Sequence, residues 1–151
     1  MATGKLLPTR TQVSLASAFD SVTNGSYAIS PAINLSTINP VDLAVELAIT
    51  PGVTSGDEAV YVFAKVSFDG GTTYTSGPPD SPYTSTSEAD LYYIDYLPLS
   101  PDSTLQRKAF NVRQALEFIP THLKIVIKNS TGATLGTGNT LHYITYLSDI
   151  T

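Results

Sequence analysis

The stretch Val41-Asp42-Leu43-Ala44-Val45-Glu46-Leu47-Ala48-Ile49-Thr50 decides the fold. Leu43, Val45, Leu47 and Ile49 fall on one row, and Asp42, Ala44, Glu46 and Ala48 fall on the other. Successive side chains of a strand point to opposite faces, so this is a strand with one face buried. Pro51-Gly52 ends it. Downstream, Val60, Val62, Ala64, Val66 and Phe68 form a second row, with Tyr61 and Phe63 apolar on the opposite side. Apolar residues on both faces predict a central strand covered on both sides, with a neighbouring chain as one possible cover.

Working outward, the same period recurs in short runs. Tyr27 and Ile29 alternate with polar neighbours, and Ile33 and Leu35 form another extended piece. Leu91–Leu97, Leu105–Val112, Leu123–Asn129 and Thr140–Leu147 read as strands, and Thr11–Val22 reads as a weaker one. Asn24-Gly25, Asp69-Gly70-Gly71, Asn129-Ser130-Thr131-Gly132 and Gly136-Thr137-Gly138-Asn139 are turn signals. Asp69-Gly70-Gly71 has the composition of a hairpin turn, because glycine supplies the positive φ that tight turns need. Arg113–Phe118 fits one helical turn, and Ser76–Ala89 is a long loop. About eight short strands with regular turns predict an all-β antiparallel sandwich, jelly-roll-like, with residues 13–151 as a single domain. Residues 1–12, with Lys5, Leu6, Leu7, Pro8 and Arg10, lack that period and read as an extended N-terminal arm.

Composition bounds the function. Charged residues make up 14% of the 151 residues and apolar ones 42%. The usual charged fraction is about 25%, so disorder is excluded and the surface suits repeated packing against neighbours. A net charge of −5 lacks the footprint of a nucleic-acid or anionic-membrane binder. With no cysteine, thiolate metal sites and cysteine nucleophiles are excluded. The start Met1-Ala2-Thr3-Gly4-Lys5 carries no apolar core with a cleavage site, and no run approaches a membrane span. The expectation is therefore synthesis in a cytoplasm without the usual export. Triplets at Asn24, Asn34 and Asn129 match the glycosylation pattern but read as ordinary turn residues.

Catalytic signals are sparse. His122 and His142 are the two histidines, and each reads as a structural or surface imidazole rather than a ligand. No serine sits in a nucleophile elbow. Glu88, Asp90 and Asp95 are the candidates for paired carboxylates, with solvation of a strand edge or loop as the simpler reading. Asp69-Gly70-Gly71 lacks the alternating acids of a calcium loop. No catalytic, metal or cofactor site is assigned. From Phe68 to Gln106 the chain carries acids without a lysine or arginine, whereas Arg107, Lys108, Arg113, Lys124 and Lys128 follow with Glu117 alone. Such a chain can pair head to tail with copies of itself, or both stretches can be solvated faces. Tyr92, Tyr93 and Tyr96 crowd one strand, where tyrosine suits either an interface or inward packing with the hydroxyl at the rim. The candidate protein-protein interface is thus Lys5, Leu6, Leu7, Arg10, Tyr92, Tyr93, Tyr96, Arg107, Lys108 and Arg113.

The run Ser67-Phe68-Asp69-Gly70-Gly71-Thr72-Thr73-Tyr74 resembles the hairpin of small tailed-bacteriophage virion proteins. Ile119-Pro120-Thr121-His122-Leu123-Lys124-Ile125-Val126-Ile127-Lys128-Asn129, then Thr131-Gly132 and Gly138-Asn139, is similar to their closing strands. The resemblance covers roughly residues 26–147 and rests on turn chemistry and strand pattern. It implies a non-enzymatic cement or decoration protein on the capsid exterior, assembled in the host cytoplasm. Its implied partners are the major capsid protein and copies of itself, as dimer or trimer. The alternative is a tail- or fibre-associated module that binds a host glycan through Tyr92, Tyr93 and Tyr96 exposed together. A glycan-acting enzyme is a third reading, and it requires two carboxylates facing each other in a cleft.

Overall fold

The computed structural model describes residues 5–52, 58–79 and 87–149. Nine strands form: β1 (Lys5–Val13), β2 (Tyr27–Ile29), β3 (Ile33–Asn34), β4 (Asp42–Ile49), β5 (Glu58–Ser67), β6 (Tyr92–Leu99), β7 (Gln106–Asn111), β8 (His122–Ser130) and β9 (Thr140–Asp149). One short helix, α1 (Val112–Leu116), follows β7. The first sheet has the order β1-β9-β4-β7. The second has β8 between β5 and the pair β2 and β3, with β6 on the far side of β5. Both β2 and β3 lie along β8, at Lys128–Val126 and at Leu123–His122. They are one strand interrupted near Pro31, whose ring removes a donor from the ladder. Counted so, the fold has eight antiparallel strands, and every connection but that from β5 to β6 crosses between sheets. This is the order of a jelly roll.

The alternating rows become the core. Leu43, Val45, Leu47 and Ile49 are fully buried, facing Val60, Val62 and Ala64 of β5 and Leu123, Ile125 and Ile127 of β8. At about 25 cal/mol per Å² of buried apolar surface, each such aliphatic side chain contributes about 2 kcal/mol. Pro98 lies inside β6, which is tolerated because β6 is an edge strand whose free side needs no N–H. The expected helical turn begins one residue early, at Val112, where the Asn111 side chain accepts from the Gln114 N–H at 2.7 Å.

Three local expectations change. First, the expected arm joins the sheet from Lys5 onward: β1 pairs with β9 at every position from Lys5↔Asp149 to Val13↔Leu141. Apolar periodicity is weak there because an edge strand at the rim buries little. Second, the predicted strand Thr11–Val22 stops at Val13. Ala16, Ser17 and Ser21 take positive φ, which small residues accept most readily, and the resulting turn drives Phe19 fully into the core. Third, Asp69-Gly70-Gly71 does turn the chain, with Gly70 and Gly71 at φ 74° and 85°. A Cβ on Gly71 would lie 3.0 Å from the His122 ring. The returning chain makes one backbone rung, Thr75 N–H to Val66 O, and the next strand along the chain to pair with β5 is β6. The turn is closed by the Asp69 carboxylate, which accepts from Ser67, Thr72 and Thr73. These bonds, the Thr73 hydroxyl foremost, hold its pKa far below the usual carboxylate range.

Two asparagines tie the early turn to the loops before β9. Asn129, fully buried, donates to Val22 O and Ala133 O and accepts from the Thr131 N–H and hydroxyl, which uses its whole hydrogen-bonding capacity. Asn139 accepts from the Thr50 N–H and donates to Phe19 O and Gly136 O. Asn24 accepts from Gly132 N–H and Asn34 from Ser36 N–H, so all three glycosylation-type asparagines serve turns. Asn129→Ala strands buried donors and acceptors and is expected to destabilise the fold by about 3 kcal/mol, whereas Asn24→Ala, which loses one exposed bond, costs under about 1 kcal/mol. Urea unfolding midpoints of both variants check the contrast.

Candidate protein-protein interface

Strand register sorts the candidate residues into groups. On β1 the outward row is Leu6, Pro8, Arg10 and Gln12, because Val13 and Leu7 share the inward row with Leu141 and Leu147 of β9. The Arg10 guanidinium meets the Glu46 carboxylate of β4 at 2.5 Å and the His142 Nδ1 of β9 at 3.3 Å. Arg107 Nε of β7 stands 3.6 Å from the same carboxylate. Each strand of the first sheet therefore gives one residue to a cluster at the centre of its outer face. The hydrogen bond from Arg10 lowers the Glu46 pKa against the effect of its burial. Burial first, then Arg10, lowers that of His142. Period places Arg107 on a strand, but Arg10 lies in the stretch read as an arm, and nothing local signals that Glu46 and His142 lie between the two arginines.

The tyrosines of β6 divide. Tyr96 pairs with Tyr61 and Tyr93 with Phe63 on the outer face of the second sheet, with ring centroids 6.2 and 5.6 Å apart. The bulge between Val62 and Phe63 shifts the register, and Tyr92 turns to the other side. There it packs edge-on to Phe118, which also touches Phe68. The three tyrosines are thus not exposed together as a concave site, and Tyr61 takes the place of Tyr92. Tyr61, Tyr93 and Tyr96 are 38, 50 and 45% exposed.

The cover on β5 comes from its own chain. Leu91 packs on Phe63 and Val126, Glu88 accepts from Tyr27 at 2.5 Å and pairs with Lys128, and Tyr74 lies 4.3 Å below Lys124 Nζ. This strap closes over one half of the outer face and leaves the tyrosine half open. The rest of the predicted loop, residues 80–86, lies outside the described residues.

Lys108 sits on the inward row of β7, opposite Leu47. Its ammonium spans the open edge of the sandwich to the Asp95 carboxylate at 3.2 Å and Tyr96 O at 3.0 Å. Edges β6 and β7 are therefore joined, and β1 lies at the opposite edge. At that far edge Leu6, Leu7 and Leu147 are exposed. The side chain of Lys5 lies outside the described residues. Arg113 is exposed on α1, near Asp42 and Glu117 and apart from both groups. The acidic and basic stretches meet inside one chain, as Glu88–Lys128 and Asp95–Lys108, so these four charges are not left over for a neighbour. Glu88 and Asp95 each hold a lysine rather than facing each other. Among the described residues no His, Asp and Glu group has the makings of a metal site, and no helix is long and apolar enough to cross a membrane.

No protein-family model and no curated protein matches the sequence. Thirty solved chains match in structure. A β-porphyranase of glycoside hydrolase family 86 from the human gut bacterium Bacteroides plebeius is 12% identical, over 99% of this chain and 22% of that one, with a TM-score of 0.47. A chain of the T13 viral particle of IBDV is 14% identical, over 92% of this chain and 31% of that one, with a TM-score of 0.49. This chain spans less than a third of the length of either. Neither likeness is close enough to carry a function.

The His142 environment has a pH consequence. Its pKa in the fold lies below the ordinary 6.5, so the unfolded chain takes up the proton first as pH falls. Stability is therefore lost from about pH 7 downward until the folded value is passed. Glu46 adds a loss of the same sign, in a separate window below its ordinary 4.5. Urea midpoints measured between about pH 7 and pH 5 are expected to fall for the native chain and to flatten for His142→Gln. Equal slopes would show that His142 is not the titrating group.

Proposed function

We propose that this chain is a non-enzymatic virion structural protein of the tailed-bacteriophage kind, a capsid cement or decoration protein that bridges major capsid subunits on the outer shell. One observation carries the reading: two exposed apolar patches lie at opposite edges of a rigid sandwich. One is the pair Leu7 and Leu147 on β1 and β9, with Leu6 on the opposite face of the same edge, and the other is Tyr61, Tyr93 and Tyr96 on β5 and β6. A bridge needs two separate contacts, and aromatic and aliphatic anchors on paired strands reach a partner with little ordering cost. Each copy would add buried area across a junction between subunits and so resist outward pressure on the shell. The resemblance of residues 26–147 to small virion proteins supports the same reading.

A second reading has its own observation. Tyr61 and Tyr96 present neighbouring exposed rings, tilted 47° to each other, and exposed tyrosine rings can stack on a sugar. That favours a tail- or fibre-associated glycan binder.

Copy number separates the two. Quantitative mass spectrometry of purified particles is expected to find the chain at a simple fraction of the major capsid protein. A handful of copies would move it to the tail or fibre, and absence from particles would remove both readings. In addition, Leu7→Ser and Tyr93→Ser are each expected to lower occupancy on shells at least about tenfold, a loss of about 1.4 kcal/mol or more per contact. Loss in Tyr93→Ser alone would indicate a one-sided binder.

A further inference from the structure

The first sheet ends in β1 and β7, the second in β6 and the interrupted β2 and β3. An edge strand offers unpaired N–H and C=O groups to any chain that can add a strand. Both backbone groups of a strand residue point to one side, and those of the next residue to the other. Hydrogen bonds fix which residues of β1 point outward. Thr50 N–H donates to the Asn139 side chain and Thr50 O accepts from Gly136 N–H, so the even-numbered residues of β4 point to β9. Ala44 is therefore bonded to its partner Ile144, and Tyr146 O accepts from Val41 N–H on the same side. Ile144 and Tyr146 thus turn their backbone groups away from β1, where Arg10 and Pro8 stand opposite them. The free edge of β1 is accordingly Leu6, Pro8, Arg10 and Gln12. Pro8, exposed in the middle of the strand, has no N–H to offer there.

The other edges are already closed or short. Asn129 N–H and O bond Ser26 O and Gly25 N–H, so Asn129 points to β2, and Val60 opposite it points to β6. Tyr96 and Pro98, which face Tyr61 and Ala59, then point to the free edge of β6. Tyr96 N–H donates to the Asp95 carboxylate at 2.8 Å, Tyr96 O accepts from Lys108 Nζ at 3.0 Å, and Pro98 lacks a donor. The edge of β2 and β3 is cut at Pro31, and β7 turns Arg107 and Ala109 outward before α1 begins. Strand β1, with nine residues, is the longest edge.

We infer that Pro8 keeps β1 from pairing with β1 of a second copy, so that the chain meets its neighbours through side chains and not by strand addition. Charge does not close this edge. Arg10 is the charged residue of the outward row, and its guanidinium is turned across the sheet to Glu46. In the antiparallel register that uses the whole row, Leu6 stands opposite Gln12 of the second copy and Pro8 opposite its Arg10. Like charges then never face each other. The two-fold axis of such a pair makes one proline act twice, because each copy removes the donor from a central rung. Pairing would also use up the edge, so a chain without Pro8 forms a closed dimer and not a fibre. Pro8 acts in this way in the purified chain, whatever its place in a particle.

Sedimentation equilibrium and amide hydrogen exchange of the full chain are the test. In the native chain the outward amides of Leu6, Arg10 and Gln12 are expected to exchange fast at every concentration. Pro8→Val restores the missing N–H and is expected to give a dimer in which those amides exchange at least about tenfold more slowly. Pro8→Thr restores the N–H without adding an apolar side chain and is expected to do the same. Adding Arg10→Pro to Pro8→Val removes the same rung from its other side, leaves the ladder with β9 intact and is expected to return a monomer. Pro98→Val, on β6, is expected to leave the β1 amides fast, because Asp95 and Lys108 still hold Tyr96. Fast amides in either variant at position 8 overturn the inference. Slowed β1 amides in the native chain, in Pro98→Val or in the double variant overturn it as well, by showing that proline does not decide whether the edge pairs.

Discussion

Strand β9 hydrogen-bonds to β1 on one side and β4 on the other, and the first sheet exists only because it does. Without β9, β1 has no partner and β4 has only β7. The fully buried row of β4 would then lose half the sheet that holds it over β5 and β8. The partners are far apart in sequence, so closure pays the entropy of a long loop before any contact rewards it. Asn129 and Asn139 lower that cost locally. By binding Val22, Phe19 and Thr50 they fix the chain leading into β9 against the early turn and the end of β4.

A chain this poor in charge uses much of what it has to join elements to one another. Arg10, Glu46, Arg107 and His142 cross all four strands of the first sheet. Lys108 and Asp95 join the two sheets at one edge, with the ammonium also over the Tyr96 and Phe110 rings at 5.2 and 5.1 Å. Glu88 and Lys128 hold the strap, and the lysine hydrogen bond lowers the Glu88 pKa. These pairs are half exposed, and each stabilises by no more than about 1 kcal/mol. Their effect is geometric: they hold flat faces and open edges in place, and the surface left over is aromatic, aliphatic and small.

That surface is apolar at several separate places. Phe68, 66% exposed, stands at the base of a turn that Asp69 closes, next to Phe118. Tyr93 and Tyr96 stand on an edge strand, and Leu6 and Leu7 on another. Rigid apolar groups on paired strands lose little freedom when covered, which is the property a building block of a larger assembly needs.

The strands and their inward rows follow from period alone. Leu43 to Ile49, Val60 to Val66 and Leu123 to Ile127 alternate, and a period of two admits no other local structure. Turns at Gly25, Gly70 and Gly132 follow from the need for positive φ. What the local pattern could not carry is anything set by pairing between distant strands. Lys5–Arg10 look featureless until β9 lies beside them. Phe63 looks like a contact for another chain until Leu91 covers it. Period two alone puts Tyr92 on the side of Tyr96 and Tyr93 opposite, until a bulge exchanges the two. Glu46 and His142 are nearly a hundred residues apart, yet they meet because β4 and β9 are adjacent. Period two dictates which side of a strand a residue takes, so the sequence by itself determined an eight-stranded sandwich and its core. Register and strand order are long-range choices, so only the tertiary structure decided which surface residues stand together.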